Sequence, residues 1–278
     1  MSYKIIADSC CEFPEEYQND ERFVNIPLGL EVDGEHIMDD EHFDQKLFLE
    51  KVAASKKCPR SCCPSPEKYL HAFETEAENI FVFTLSSKLS GSYNSALVAK
   101  SLYEEQHAPK NIFVCNSYAA SVGELQLALK AAKWSEEGIP FAAICEKLLA
   151  FRDKMKLYFV LDNLETLRKN GRITNVKSLV ASTLSIKPIM GSSEGEIVQL
   201  GKTVGMKKAL AKIADMIYGE VGNTTERSLM ISQCNCPERA EYIKKLLMER
   251  CTFQEVRILE MAGVSTMYAN DGGIIVTV

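Results

Sequence analysis

The chain has 278 residues, 46% hydrophobic and 25% charged, with a formal net charge of -6. These are ordinary proportions for a folded chain, so disordered, collagen-like and coiled-coil classes are excluded, and the length asks for two domains or one large one. The acid excess argues against a nucleic-acid reader working through a basic face. No apolar run reaches the ~18 residues of a membrane span, and the opening apolar stretch meets Asp8 too early for a signal peptide, so a cytoplasmic protein is expected.

In chain order, residues 4–7 read as a short apolar strand ending in Asp8-Ser9, and 24–32 as a second, closed by the Asp33-Gly34 turn. Ser65 followed by Pro66 marks a helix start, serine at the cap and proline in the first turn. Residues 79–85 form a buried strand, 90–105 have helical spacing, 111–115 are another strand, and 122–137 and 140–154 are helices. Strand-helix alternation predicts an α/β domain over 1–156, a mainly parallel sheet with flanking helices, whose ligands sit beyond the carboxyl ends of its strands. Three strands end in Asp8-Ser9, Ser86-Ser87 and Asn116-Ser117, which lines one rim with hydroxyls and amides.

Residues 157–278 predict a smaller α+β domain. Strands are expected at 157–160, 186–190, 196–200, 228–232, 255–260 and 273–278. Helices are expected at 163–170, stopped by Gly171, and at 176–185, 207–218 and 237–250.

Several motifs fail on their context. Gly191-Ser192-Ser193-Glu194-Gly195 matches the serine-hydrolase pattern, but that elbow needs a helix after it, and 196–200 alternate like a strand. It is read as a polar hairpin turn. Gly195 through Gly201-Lys202-Thr203 nearly matches a phosphate loop, with one residue too many and a strand where a helix should open. His36, His42, His71 and His107 sit among polar residues, away from metal-ligand spacing. The ten cysteines form no paired C-x2-C units, so neither a zinc site nor a disulfide framework is expected. No metal, no cofactor and no catalytic base is read from the sequence.

Three segments remain. Cys58-Pro59-Arg60-Ser61-Cys62-Cys63-Pro64-Ser65-Pro66 is a proline-stiffened loop that holds the Ser61 hydroxyl in place or simply leads into a helix. In Ser86 to Tyr93 a strand runs into a helix at Ser90-Gly91-Ser92, where free backbone amides and the Ser90 hydroxyl favour an anion and Gly91 allows close approach. In Leu167 to Thr174, basic residues close a helix, and Arg172 beyond Gly171 has the reach to cross a domain cleft.

Taken in order, these segments resemble the DegV family of bacterial fatty-acid-binding proteins. The resemblance runs through Ile5-Ile6-Ala7-Asp8-Ser9, Ile26-Pro27-Leu28, Ser61 to Pro66, Ser86 to Tyr93, Asn116-Ser117 with Ser121 and Gly123, Leu167 to Ile173, and Ile186 to Ile189. It implies a two-domain DegV-like (EDD-type) architecture with a long-chain fatty acid, such as palmitate, buried within it. The carboxylate would be held by Ser61 and Ser90, with Gly91 and Ser92 beside them and Arg172, Tyr268 and Asn270 in support. Burying a methylene is worth ~0.8 kcal/mol, so a sixteen-carbon tail gains on the order of 10 kcal/mol gross. Phe81, Phe83, Ile186 and Ile189 are the expected tunnel walls. The family also implies a fatty-acid kinase as partner. Its C-terminal histidine motif is missing from Met267 to Gly273, and an expected arginine is missing before Lys207-Lys208. Cys62 and Cys63 beside the head group would make binding oxidation-sensitive. The rival readings are a phosphotransferase or hydrolase, which would need a group such as Asp8 or Glu165 against its substrate, and a lipid-responsive interaction protein.

Overall fold

Strand β1 (Tyr3–Asp8) ends in a 3-10 turn at Ser9–Cys11, followed by α1 (Glu15–Gln18), β2 (Phe23–Ile26), β3 (Gly29–Val32), β4 (Glu35–Met38), α2 (Gln45–Ala54), β5 (Arg60–Cys62), α3 (Pro66–Ala72), β6 (Asn79–Thr84), α4 (Ser92–Gln106), β7 (Asn111–Asn116), α5 (Val122–Glu136) and α6 (Phe141–Lys154). The second half holds β8 (Leu157–Val160), α7 (Glu165–Lys169), β9 (Ile186–Ser193), β10 (Glu196–Val204), α8 (Met206–Val221), β11 (Ser228–Gln233), α9 (Pro237–Met248), β12 (Glu255–Glu260), α10 (Gly263–Ala269) and β13 (Ile274–Thr277). This computed structural model describes residues 2–173 and 185–278. The helix expected over 176–185 falls outside them except for Ser185.

The first sheet has the order β2-β1-β6-β7, with every pairing parallel. Such a sheet is covered on both faces, so its strands are apolar throughout. On β6, Phe81 and Phe83 pack with α5 and α6, while Ile80 and Val82 pack with α3 and α4. The second sheet has the order β10-β9-β8-β13-β11-β12 and is mixed. One of its faces, with Tyr158, Val160, Ile189 and Ile231, is closed by α8 and α9. Its other face turns toward the first half, and α5 lies between the sheets. Gln126 on α5 donates to the Ser228 carbonyl at 3.2 Å and to Thr277 Oγ1 at 2.9 Å.

The expected strand over 24–32 is two strands. Pro27 has no amide to donate and cannot continue a ladder. The chain leaves the parallel sheet at Ile26 and re-forms as β3 in a separate antiparallel sheet, β4-β3-β5. That sheet brings in residues 60–62, read from sequence as loop; Ser61 pairs with Leu30. Ser65 does stand at the cap of α3, but its side chain makes no capping hydrogen bond. Helix α4 begins at Ser92, two residues later than expected, with Gly91 at its cap.

Candidate ligand-binding site

Period-two geometry builds the site. On β8, Tyr158 and Val160 face the α8/α9 core, so Leu157 and Phe159, with Leu161 just past the strand, face the other way, into an apolar cavity. The opposite wall comes from Leu28, Leu85, Leu89, Ala119 and Ala120, and α10 adds Val264 and Ala269. The lining is predominantly apolar, with a few polar groups among it.

Polar groups gather where Leu161 lies, near Leu167 and Tyr268. Ser61 Oγ is 3.0 Å from Tyr268 Oη. The Arg172 guanidinium sits over the Tyr268 ring, 5.8 Å from its centroid. Arg172 Nε donates to the Leu89 carbonyl at 3.1 Å, and Nη1 donates to the Asn170 carbonyl. Asn170 in turn donates to the Pro59 carbonyl at 3.0 Å, tying the end of α7 to the loop before Ser61. Ser90 lines the cavity and its Oγ lies 3.0 Å from Ser92 Oγ. Burial raises the Tyr268 phenol pKa, while Ser61 and the Arg172 charge pull it back. The phenol is therefore a neutral donor at physiological pH, suited with the two serine hydroxyls and the guanidinium to receive one anion.

The structure thus brings Ser61, Ser90, Arg172 and Tyr268 to one end of one cavity. Gly91, Ser92 and Asn270 do not line it. Gly91 is exposed and sits against Cys63, whose Sγ would be 2.9 Å from a Cβ there. Ser92 is fully buried and turns to Asp8 and Tyr69. Asn270 adopts φ 57 at the end of α10 and donates to the Tyr268 carbonyl at 3.2 Å, a backbone brace rather than a wall.

The expected tunnel walls are corrected. Phe81 and Phe83 point into the α5/α6 core and Ile189 into the α8/α9 core, each on the face of its strand away from the cavity. Ile186 does not line it either. The polar rim is mostly used in stitching loops together. Ser86 Oγ donates to the Gly195 carbonyl at 2.7 Å, and Asn116 pairs with Ser87. The hairpin tip read as a plain turn carries Gly191, Ser192, Gly195 and Ile197 into the cavity wall. Its sequence signal was the glycine at each end of the turn. Gly195 has φ 85, and a Cβ on it would meet Ser86 Oγ at 2.3 Å.

Below the cavity floor lies a buried acidic cluster. Burial pushes Asp8 up to about 6 and Glu12 up to about 7, and drives Glu124 well above the carboxylate range. Asp8, Cys10 and Glu124 bring three potential ligand atoms within 4.8 Å of one another. The Cys10 thiol is the donor that favours an ionised Glu124, but burial and the neighbouring Asp8 charge outweigh it, and a proton held on Glu124 makes it a donor to Asp8. Asp8 instead anchors backbone, accepting from the Leu85 amide at 3.0 Å and the Cys10 amide at 3.2 Å. Glu165 is far from this cluster in role: it is exposed and paired with Arg168 at 2.9 Å. All ten cysteines are separate thiols.

An apolar cavity walled by two sheets, with hydroxyls and a guanidinium at one end, defines a small-molecule-binding α/β protein. The chain belongs to the DegV family: the family described as "Uncharacterised protein, DegV family" matches residues 2–277. A DegV domain-containing protein of Streptococcus pneumoniae is 34% identical over 283 residues, covering 99% of this chain and 98% of its own. A DegV family protein of Ruminococcus gnavus, refined with vaccenic acid, superposes at TM-score 0.97 with 47% identity, covering 100% of both chains. The Fatty Acid Kinase B3 protein of Streptococcus pneumoniae, loaded with linoleic acid, superposes at TM-score 0.91 with 31% identity, covering 100% of this chain and 99% of that one. Among the described residues no helix is long and apolar enough to cross a membrane.

Proposed function

We propose that this chain is a carrier of a long-chain fatty acid. The acid's carboxylate lies at the Ser61, Ser90, Arg172 and Tyr268 end, and its tail runs along Leu161, Phe159 and Leu157. The observation that carries the reading is one largely apolar cavity in whose lining two serine hydroxyls, a phenol and the Arg172 guanidinium are gathered at one place. A fatty acid matches that lining, and its carboxylate would be costly to bury without donors. The relatives refined with vaccenic and linoleic acids support it.

The chain acts without chemistry of its own. The hydrolase or phosphotransferase reading needs a carboxylate against the substrate, and neither Asp8 nor Glu165 lines the cavity. The ligand is cargo rather than cofactor. The 31% identity to a fatty-acid kinase B protein favours a kinase as the partner that receives the fatty acid. The domains divide at 156/157, and the protein works in the cytoplasm.

The test is mass spectrometry of an organic extract of purified protein. A stoichiometric long-chain acid, lost in a folded Ser61→Ala/Ser90→Ala double variant, is expected. A protein that carries no acid and takes up no added palmitate would remove the reading.

A further inference from the structure

Along β8, Leu161, Phe159 and Leu157 step from the polar end of the cavity to its far end, about 13 Å at ~3.3 Å per residue. At that far end stands Tyr118, in the loop after β7. Tyr118, Leu157 and Ser192 line this cavity and also an open cleft on the other side, which Arg152, Lys156, Glu194 and Glu220 make polar. One layer of side chains therefore separates the two spaces.

Tyr118 is held firmly in that layer. Its backbone is in the left-handed region at φ 55. Its carbonyl accepts from Ser192 Oγ at 2.6 Å, which pins it to the β9–β10 hairpin. From the cleft side the Arg152 guanidinium stacks over its ring, 4.0 Å from the centroid, and Arg152 is itself anchored to the Asn116 carbonyl at 3.3 Å and to Asp153 at 2.8 Å. A ring clamped by a cation on one face and bordering an apolar tunnel on the other does not swing aside cheaply.

We propose that Tyr118 is the end stop of the acyl tunnel and sets the longest chain the protein accepts. The inference rests on the fatty-acid reading and adds its upper limit. Each methylene buried short of the stop strengthens binding by roughly fourfold. A chain longer than the tunnel meets the ring, and one that passed it would emerge among charged groups and water, where a methylene gains nothing. Removing the ring joins tunnel and cleft, so the extra carbons of a very long acid find room.

The experiment offers wild type, Tyr118→Leu and Tyr118→Gly an equimolar panel of saturated acids from C14 to C24 and measures the bound fraction of each by mass spectrometry. Tyr118→Gly also relieves the backbone; should it not fold, Tyr118→Leu is read alone. Ser61→Ala, at the opposite end, serves as reference. The expected result is a cut-off in wild type that moves to longer chains in the Tyr118 variants, with the longest acids enriched at least tenfold relative to palmitate. Ser61→Ala should weaken all lengths together and leave the cut-off in place. If wild type binds palmitate and the Tyr118 variants keep the same cut-off, the end stop is wrong while the carrier reading stands. If wild type binds no acid of any length, both fall.

Discussion

Asp39 and Gly263 lie 224 positions apart in the chain, yet the Asp39 Oδ1 sits 2.6 Å from the Gly263 amide. Its second oxygen takes the Val264 amide at 2.8 Å and the Ser9 hydroxyl at 2.8 Å. Helix α10 has no cap of its own, since Ala262 precedes it. A carboxylate from the first half of the chain supplies the missing acceptor. Gly263 is required, because a Cβ would meet Asp39 Oδ1 at 2.6 Å. Helix α10 carries Tyr268, so Asp39 positions the site without touching its cavity.

Asp39→Ala should leave both amides unpaired in a buried place and cost about 1–3 kcal/mol of stability, read as a lowered midpoint in urea. Fatty-acid affinity should fall as well, because Tyr268 loses its fixed helix. Asp39→Asn keeps one acceptor oxygen and should lie between. Unchanged affinity in a destabilised Asp39→Ala would detach Asp39 from the site.

The buried carboxyls set the pH dependence. Burial lifts Asp8 and Asp39 from 3.8 to about 6, and Glu12 from 4.5 to about 7. Between roughly pH 4 and 7 the folded chain therefore holds protons that the unfolded chain has released. The associated stability is complete below the unfolded values and is lost as pH rises through the folded ones. The melting temperature should be higher at pH 5.5 than at pH 7.5, against the usual acid trend. Glu12→Gln, which keeps the carbonyl that accepts from Ser121 and Ser232, should reduce that difference. A melting temperature that rises steadily from pH 5.5 to 7.5 in wild type would contradict this account.

The hairpin latch is a second structural lever. Ser86 Oγ is buried and bonds the Gly195 carbonyl at the tip of β9–β10. Ser86→Ala strands that carbonyl, so a loss of about 1–3 kcal/mol is expected. Limited proteolysis should cut faster at 193–195, and bound acid should leave faster in a stopped-flow chase. Equal rates in wild type and variant would mean the hairpin is held by its other contacts.

Cys62 and Cys63 are exposed, and Cys63 lies against Gly91, next to Ser90. They should be the first thiols to react with a chromogenic disulfide in the native protein. A bulky adduct on Cys63 should weaken fatty-acid binding, and Cys63→Ser should restore it under the same treatment. A Cys63→Ser protein that is still inhibited would shift the effect elsewhere.

The parts of the molecule that could be read beforehand are those with local causes. The parallel strands announce themselves because both faces are buried and the residues are apolar without a break. Ser90 stands out because hydroxyls cluster where a strand runs into a helix, and Ser61 because prolines flank it. Pro27 was the visible signal that 24–32 is not one strand, and an apolar residue on each side of it masked that signal. The tunnel walls were hidden for a different reason. Phe81 and Leu157 look alike in sequence, and only the pairing of sheets decides which faces a helix and which faces a ligand. Tyr118 and Asp39 act through partners far along the chain, and nothing nearby in the sequence marks them; the hairpin tip was marked by its two glycines as a turn, but not as a cavity wall.

Gln126 reaches from α5 to the second sheet, and Met230 of that sheet belongs to the same core as Phe81 and Leu125. The two sheets are separate in topology but share one interior. A fragment ending at 156 would therefore carry away α5 with an apolar flank and an unpaired amide. The molecule should melt as one cooperative unit, giving a single calorimetric transition, and a fatty acid seated between the sheets should raise that transition without splitting it.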